Sequence, residues 1–199
     1  QKIIKELYEK FFKSAFPTTV EKLGIVYTPI ECVDFIVHSV NILLHEEFHT
    51  DLTNRDVHIL DPFTGTGTFI TRLLQSGLIK KEDLERKYKK ELHANEIVLL
   101  AYYIADVNIE SVYHYLNKSK EYLPFNGICL TDTFQTAEHK GSSQESAKLD
   151  DYFDENYKEV EKQRKTPVRV IIGNPPYSVG QKSANERSKF KLPHFRRPY

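Results

Sequence analysis

The sequence predicts an α/β domain, and three stretches carry that prediction. Val57-His58-Ile59-Leu60 is a short apolar run that ends in Asp61 and a glycine-rich turn; a helical pattern through Ile70, Leu73 and Leu74 follows. Glu91-Leu92-His93-Ala94-Asn95 is strand-like and leads through Glu96 into a largely apolar stretch (Ile97, Val98, Leu99, Leu100, Ala101, Ile104). That stretch reads as a helix over residues 96–108, buried on most sides. Val168-Arg169-Val170-Ile171-Ile172 is short, β-branched and mostly apolar, which reads as a buried parallel strand. A length of 199 residues suits one such domain with a sizeable core.

The remaining elements follow in chain order. Residues 3–16 read as an amphipathic helix with Leu7, Phe11 and Phe12 on one face. Gly24-Ile25-Val26-Tyr27-Thr28-Pro29 runs into a second helical pattern carried by Cys32, Val33, Ile36, Val37 and Val40. Thr28 is expected to cap that helix, with Pro29 at its first helical position. Gly127-Ile128-Cys129-Leu130-Thr131 reads as a short strand ended by Asp132. Residues 135–165 are polar and dense in charge, as in a surface excursion, with one helix expected near residues 152–164. No internal repeat stands out.

The turns after the strands hold the chemistry. Asp61-Pro62-Phe63-Thr64-Gly65-Thr66-Gly67-Thr68-Phe69 combines a tight turn with a helix N-terminus, where a ligand can approach backbone N–H groups closely. The position a dinucleotide fingerprint reserves for a third glycine holds Ile70, and no lysine follows as in a phosphate-binding loop. Gly173-Asn174-Pro175-Pro176-Tyr177 follows the last strand. Neither proline has an N–H, so the local carbonyls are acceptors with little competition. With the Asn174 side-chain oxygen they form a cluster that can accept both protons of one planar NH2 group, while an aromatic ring covers the same planar substrate. The bland reading of this tetrapeptide is a rigid proline turn.

His45-Glu46-Glu47-Phe48-His49 matches the HExxH pattern of zinc hydrolases. It stands at a charged helix end, and Arg55 occupies the place of a third histidine, so it reads as a chance match with no metal. Cys32 and Cys129 are too few and too far apart for a metal cluster and fit reduced thiols in a cytoplasmic protein. Net charge is formally zero, whereas residues 180–199 hold six Lys or Arg against one Glu, with Phe190, Phe195 and Tyr199 interleaved. That tail reads as solvated and disordered. The sequence has no signal-peptide pattern and no 18-residue apolar run, which argues against secretion and membrane spanning. It contains no methionine, not even at position 1, which leads us to expect a segment of a longer protein.

In this order the Tyr-Thr-Pro segment, the glycine loop, two spaced acids and Asn-Pro-Pro-Tyr resemble the amino-methyltransferases that modify the N6 amine of adenine in DNA. The arrangement is similar to their gamma class, and to the modification regions of type I and single-polypeptide restriction-modification enzymes. The resemblance covers the chain up to Ser178. It implies a Rossmann-like, twisted and mostly parallel sheet flanked by helices, incomplete after its fourth strand, that binds S-adenosylmethionine at the carboxyl ends of the strands. It implies a cofactor set of Tyr27, Thr28, Pro29, Asp61, Pro62, Phe63, Gly65, Gly67, Glu96 and Asp132. Within that set Glu96 would accept from the ribose hydroxyls and Asp132 would lie near the cofactor's adenine. The catalytic set would be Asn174, Pro175, Pro176 and Tyr177, acting on an adenine flipped out of double-stranded DNA, with Tyr177 stacking on it.

The organisation implied is a helical segment with the Tyr-Thr-Pro motif over residues 1–50, a methyltransferase core over residues 51–178, and the basic tail over residues 179–199. A specificity subunit, or fused target-recognition, helicase and nuclease regions, would complete a cytoplasmic restriction-modification system. Two other readings stay open at this stage. One is methylation of another planar amine, a protein glutamine amide or a guanine in RNA; the other is a non-catalytic DNA-positioning fragment.

Overall fold

β1 (His58–Asp61), β2 (Leu92–Glu96), β3 (Ile128–Leu130) and β4 (Val168–Ile171) pair in parallel in the order β3-β2-β1-β4. A computed structural model describes residues 28–118, 121–134 and 152–176. The expected helix over residues 3–16 and the basic tail lie outside these. Register is set by Ile59 opposite Leu92, Ala94 opposite Ile128 and Ile59 opposite Val170. Parallel neighbours need a crossover, and each one here contains a helix. The helices are α1 (Ile30–Phe48), α2 (Thr68–Gln75), α3 (Leu99–Asn117) and α4 (Tyr152–Lys165). β1 and β4 are adjacent, while β2 and β3 lie on the other side of β1. The chain therefore reverses its direction of travel across the sheet at β1, which opens a crevice at the carboxyl ends of β1 and β4.

The core forms where α2 packs between α1 and α3. Val33, Val37 and Leu44 of α1, Phe69, Ile70, Leu73 and Leu74 of α2, and Ala105, Ile109 and Val112 of α3 meet Ile59, Leu92, Ala94 and Val170 of the sheet. Each large aliphatic side chain so buried contributes about 1.5–3 kcal/mol before entropy is charged. Between α2 and β2 the chain turns through a 3-10 turn (Lys81–Asp83), one α turn (Leu84–Arg86) and a π turn (Lys87–Glu91). There the fully buried Lys87 ammonium donates to the carbonyls of Asn54 (2.7 Å) and Val57 (2.9 Å) and pairs with Glu91 at 2.9 Å. Arg86 also pairs with Glu91. This buried charge is fully partnered, which is what makes it tolerable in a core.

The opposite face of the sheet carries His58, His93 and Cys129. His58 Nδ1 and His93 Nε2 lie 3.0 Å apart, and burial holds the His93 pKa down to about 4, so the pair shares its hydrogen bond uncharged. α4 covers β3 on this side, with the Asn156 side chain donating to the Leu130 carbonyl (3.0 Å) and accepting from its N–H (2.8 Å). The expected helix near residues 152–164 is α4.

Three expectations are corrected. α1 starts one residue later than the Thr28 cap requires. Pro29 has an extended ψ of 141° and is itself the capping position, its carbonyl accepting from Cys32 and Val33 (3.1 Å each). The helix after Glu96 is not buried on most sides. Glu96 belongs to β2, and α3 buries a single stripe (Ala101, Ala105, Ile109, Val112, Tyr113), leaving Leu99, Tyr103 and Val107 more than half exposed. β4 is not a buried strand. Among the described residues it pairs with β1 alone, and its side chains alternate between faces: Val170 enters the core, whereas Ile171 on the opposite face is 68% exposed.

Candidate active site

The loop of residues 61–67 leaves the end of β1 as a rigid body. Asp61 is fully buried, and its Oδ1 accepts the Phe63 N–H at 3.1 Å. The Thr64 hydroxyl donates back to the Asp61 carbonyl (2.9 Å), and the Thr64 N–H donates to the Asn95 carbonyl at the end of β2 (2.9 Å). Gly65 and Gly67 take φ of 58° and 82°, the left-handed region that suits glycine. At Gly67 there is a second reason: a Cβ would stand 3.2 Å from the Ala105 carbonyl and from Ile109 Cγ1, so α3 would have to give by a few tenths of an ångström to admit one. A Cβ at Gly65 would meet nothing within 4 Å, so that glycine borders open space.

Glu96 fixes the same loop from the neighbouring strand. Its Oε2 accepts the Gly65 N–H at 2.7 Å, and its Oε1 accepts from Ile97 (3.0 Å) and Val98 (2.8 Å). Burial pushes this carboxyl pKa up, and the three N–H donors pull against that. Three donors fill three of about four acceptor positions and leave room for one further donor. Beyond β3, the Asp132 carboxylate accepts the Phe134 N–H at 3.0 Å, and the Phe134 ring lies 5.2 Å from that of Phe63. Thr133 links the two loops: its hydroxyl donates to the Pro62 carbonyl (2.7 Å) and accepts from the Asn95 side chain (3.3 Å).

At the end of β4, the Ile172 N–H donates to the Leu60 carbonyl at 3.0 Å, which carries the pairing of β1 and β4 up to the mouth of the crevice. Asn174 is half-buried there, and Pro175 and Pro176 are exposed. Tyr177 lies outside the described residues, as does Tyr27. Thr28 and Pro29 stand at the entry to α1, which packs along α2, the helix that follows the loop.

The electrostatics centre on Asp61. Burial, with a smaller push from the Glu96 charge, raises its pKa to about 7. Its second oxygen, Oδ2, is buried without a hydrogen-bond partner among the described residues. A buried carboxylate with one unpaired oxygen is costly, and the natural remedy is a cationic or N–H donor from outside.

A family model described as N-6 DNA Methylase matches residues 1–197. The chain belongs to the N6 DNA methylase family. Three solved structures resemble it closely. A nuclease-deletion mutant of the Type ISP restriction-modification enzyme LlaGI, in complex with a DNA substrate mimic, is 51% identical with a TM-score of 0.78, covering 94% of this chain and 15% of that one. The ATP-dependent Type ISP enzyme LlaBIII bound to DNA is 55% identical with a TM-score of 0.77, covering 91% and 12%. The DrdV–DNA complex is 43% identical with a TM-score of 0.79, covering 89% and 16%. The chain thus spans under a fifth of the length of each. A search of curated proteins gave no match.

Within the methylase fold, Asp61, Pro62, Phe63, Gly65, Gly67, Glu96 and Asp132 lie at the ends of three adjacent strands, joined by the bonds above. Asn95, Thr133 and Asn108, whose side chain donates to the Thr66 carbonyl at 3.0 Å, brace this loop and were not expected from the sequence. A polar residue inside the strand Leu92–Glu96 was the available sign for Asn95; Thr133 and Asn108 offered none, because their partners are 71 and 42 residues away. The HExxH stretch lies at the end of α1, where His49 is the C-terminal cap in a left-handed conformation.

Proposed function

We propose that this chain forms the S-adenosylmethionine-binding and catalytic core of an adenine-N6 DNA methyltransferase within a restriction-modification enzyme. The observation that carries the reading is the buried Asp61 Oδ2, which has no hydrogen-bond partner among the described residues, in a loop whose Gly65 borders open space and that leaves β1 where the strand order reverses. A sulfonium and an ammonium are the charges such a carboxylate lacks. Glu96, with its fourth acceptor position, would take one ribose hydroxyl and make room for the second by releasing a backbone donor. Charge-assisted bonds of this kind are worth about 1.5–3 kcal/mol each. Asp132 and the Phe63–Phe134 pair would flank the adenine end, and Tyr27, Thr28 and Pro29 would close over the methionine end.

The cofactor supplies an electrophilic methyl group; this chain's residues do the rest by placement. The Asn174 side-chain oxygen and the Pro175 carbonyl would accept from the amine of a flipped adenine. Both bonds strengthen as positive charge develops on that nitrogen. Flipping costs a few kcal/mol, and stacking on Tyr177, at about 1–3 kcal/mol per base, would offset it. The partner is therefore double-stranded DNA. Two of the similar structures are Type ISP restriction-modification enzymes, one ATP-dependent and bound to DNA and one a nuclease-deletion mutant with a DNA substrate mimic, which supports a parent protein carrying nuclease and ATP-driven regions. Two free thiols, Cys32 exposed and Cys129 buried, suit a reducing cytoplasm.

Calorimetric titration with S-adenosylmethionine, beside an Asp61→Ala control, tests the reading. One-to-one binding that weakens sharply in the variant supports it; no binding by a folded protein overturns it. Transfer of labelled methyl to duplex DNA, compared with RNA and a glutamine-containing peptide, tests the acceptor.

A further inference from the structure

Gly173 calls for an explanation that the backbone does not provide. Unlike Gly65, Gly67 and Gly77, it does not have a positive φ, so no left-handed backbone calls for glycine there. What forbids a side chain is Asp61. A Cβ at Gly173 would stand 2.6 Å from Asp61 Oδ1 and 3.3 Å from Pro62 Cδ, closer than real Cβ atoms come to a buried, fixed oxygen. The oxygen cannot easily move aside, because Oδ1 is held by the Phe63 N–H in a fully buried side chain. The backbone before Gly173 cannot retreat without breaking the Ile172-to-Leu60 hydrogen bond. Asn174 is the next residue along the chain.

We infer that Gly173 is a positioning residue: its bare Cα rests on the Asp61 carboxylate and so holds Asn174 at a set distance from the methyl-donor pocket. The inference rests on the donor-site reading above. The same carboxyl group meets the acceptor segment through Oδ1 and leaves Oδ2 for the donor, so filling the donor pocket and placing the acceptor amine become linked events. Linkage of this kind is reciprocal: whatever shifts the acceptor segment must also weaken the donor.

In the full-length protein, Gly173→Ala is expected to lower kcat at saturating S-adenosylmethionine and duplex DNA by tenfold or more, with KM for DNA changed less than threefold. A merely structural role would not split the two constants. It is also expected to raise the Kd for S-adenosylmethionine several-fold and to lower Tm. Asp61→Ala removes the obstructing oxygen, so in that background Gly173→Ala is expected to leave Tm nearly unchanged; in an Asp61→Asn background, where the atom remains, it is expected to cost the full amount. Equal losses in the wild-type and Asp61→Ala backgrounds overturn the inference, as does an unchanged kcat. If Gly173→Ala alone does not fold, recovery of the fold in the Asp61→Ala/Gly173→Ala double variant supports it, and failure to recover overturns it. Absence of S-adenosylmethionine binding by the wild type would overturn the donor-site reading and this inference together. Binding combined with equal losses would overturn this inference alone.

Discussion

The loop of residues 61–67 and the segment of residues 172–176 leave adjacent parallel strands side by side, yet they are held in different ways. The loop is tied from three directions. The Asn95 carbonyl, the Glu96 carboxylate and the Thr133 hydroxyl each fix a different backbone group of it, and Ala105 closes on Gly67 from α3. The proposed acceptor segment is held at its root by Ile172 and Gly173, and its prolines are exposed. A small cofactor of constant shape rewards preorganisation, because every donor set in advance is entropy not spent on binding. A duplex that must be opened rewards a rigid, accessible ledge. The two halves of the proposed reaction therefore ask for opposite kinds of surface, and the two strand ends supply them.

The difference can be broken most severely at Asp61. Asp61→Asn keeps the shape of the side chain and removes its charge. S-adenosylmethionine binding is expected to weaken by about 1.5–3 kcal/mol or more, the worth of a charge-assisted contact, as read by calorimetry. The cofactor-free protein is expected to gain stability above pH 7, because an ionised, half-satisfied carboxylate is removed from the interior. A pKa raised from 3.8 to about 7 sets that gain at up to about 4 kcal/mol. The pH dependence has a definite sign. The folded pKa of Asp61 lies above its unfolded value, so its contribution to stability is fully present below about pH 4. That contribution is lost as pH rises through about 7. Cofactor affinity should run the other way across the same window, rising to a plateau above pH 7, with protons released on binding. Titrations in buffers of different ionisation enthalpy measure both; flat affinity from pH 5 to 8 would contradict the assignment.

Glu96→Gln comes next. An amide offers one acceptor oxygen and presents its NH2 to backbone donors where the carboxylate accepted from three N–H groups. A loss of about 1–3 kcal/mol in stability is expected, with faster hydrogen exchange at the Gly65 amide. The two glycines then sharpen the picture within the loop. Gly67→Ala meets both a left-handed φ and the Ala105 carbonyl, so it should cost more than the strain alone, about 2–3 kcal/mol. Gly65→Ala meets the φ penalty in open space, about 1–2 kcal/mol. Denaturant melts that rank them in reverse would overturn the packing argument. Smallest is Pro176→Ala on the exposed ledge, expected to shift stability by about 0.5 kcal/mol or less while still lowering methyl transfer.

Local signals carried much of this molecule. Short apolar runs ending in Gly or an acid marked β1, β2, β3 and β4. The spacing of Gly65 and Gly67 argued against the nucleotide-phosphate loops, and the prolines beside Asn174 suggested the acceptor cluster proposed above. These are legible because each depends on a few neighbouring residues: the φ a glycine allows, the N–H a proline lacks, the periodicity of a buried face. Misreadings arose where burial depends on neighbours far along the chain. The first turns of α3, residues 99–105, are apolar or aromatic on every side, and they still show one side to solvent because α2 and the sheet cover the other. Ile171 looks like a core residue in sequence and is exposed because it points to the sheet face opposite Val170 and Ile172, which enter the core.

By itself, then, the sequence determined the element order, the turn chemistry and the residue types at each strand end. Tertiary structure alone decided that Asp61 would be buried with one oxygen unpaired among the described residues, that Glu96 would close on a loop 31 residues away, and that Gly173 would lie against Asp61. The physical reason is range. Backbone conformation follows from local sterics, whereas desolvation and steric exclusion at a site depend on which strands lie side by side, and in a parallel sheet those strands are always distant in sequence.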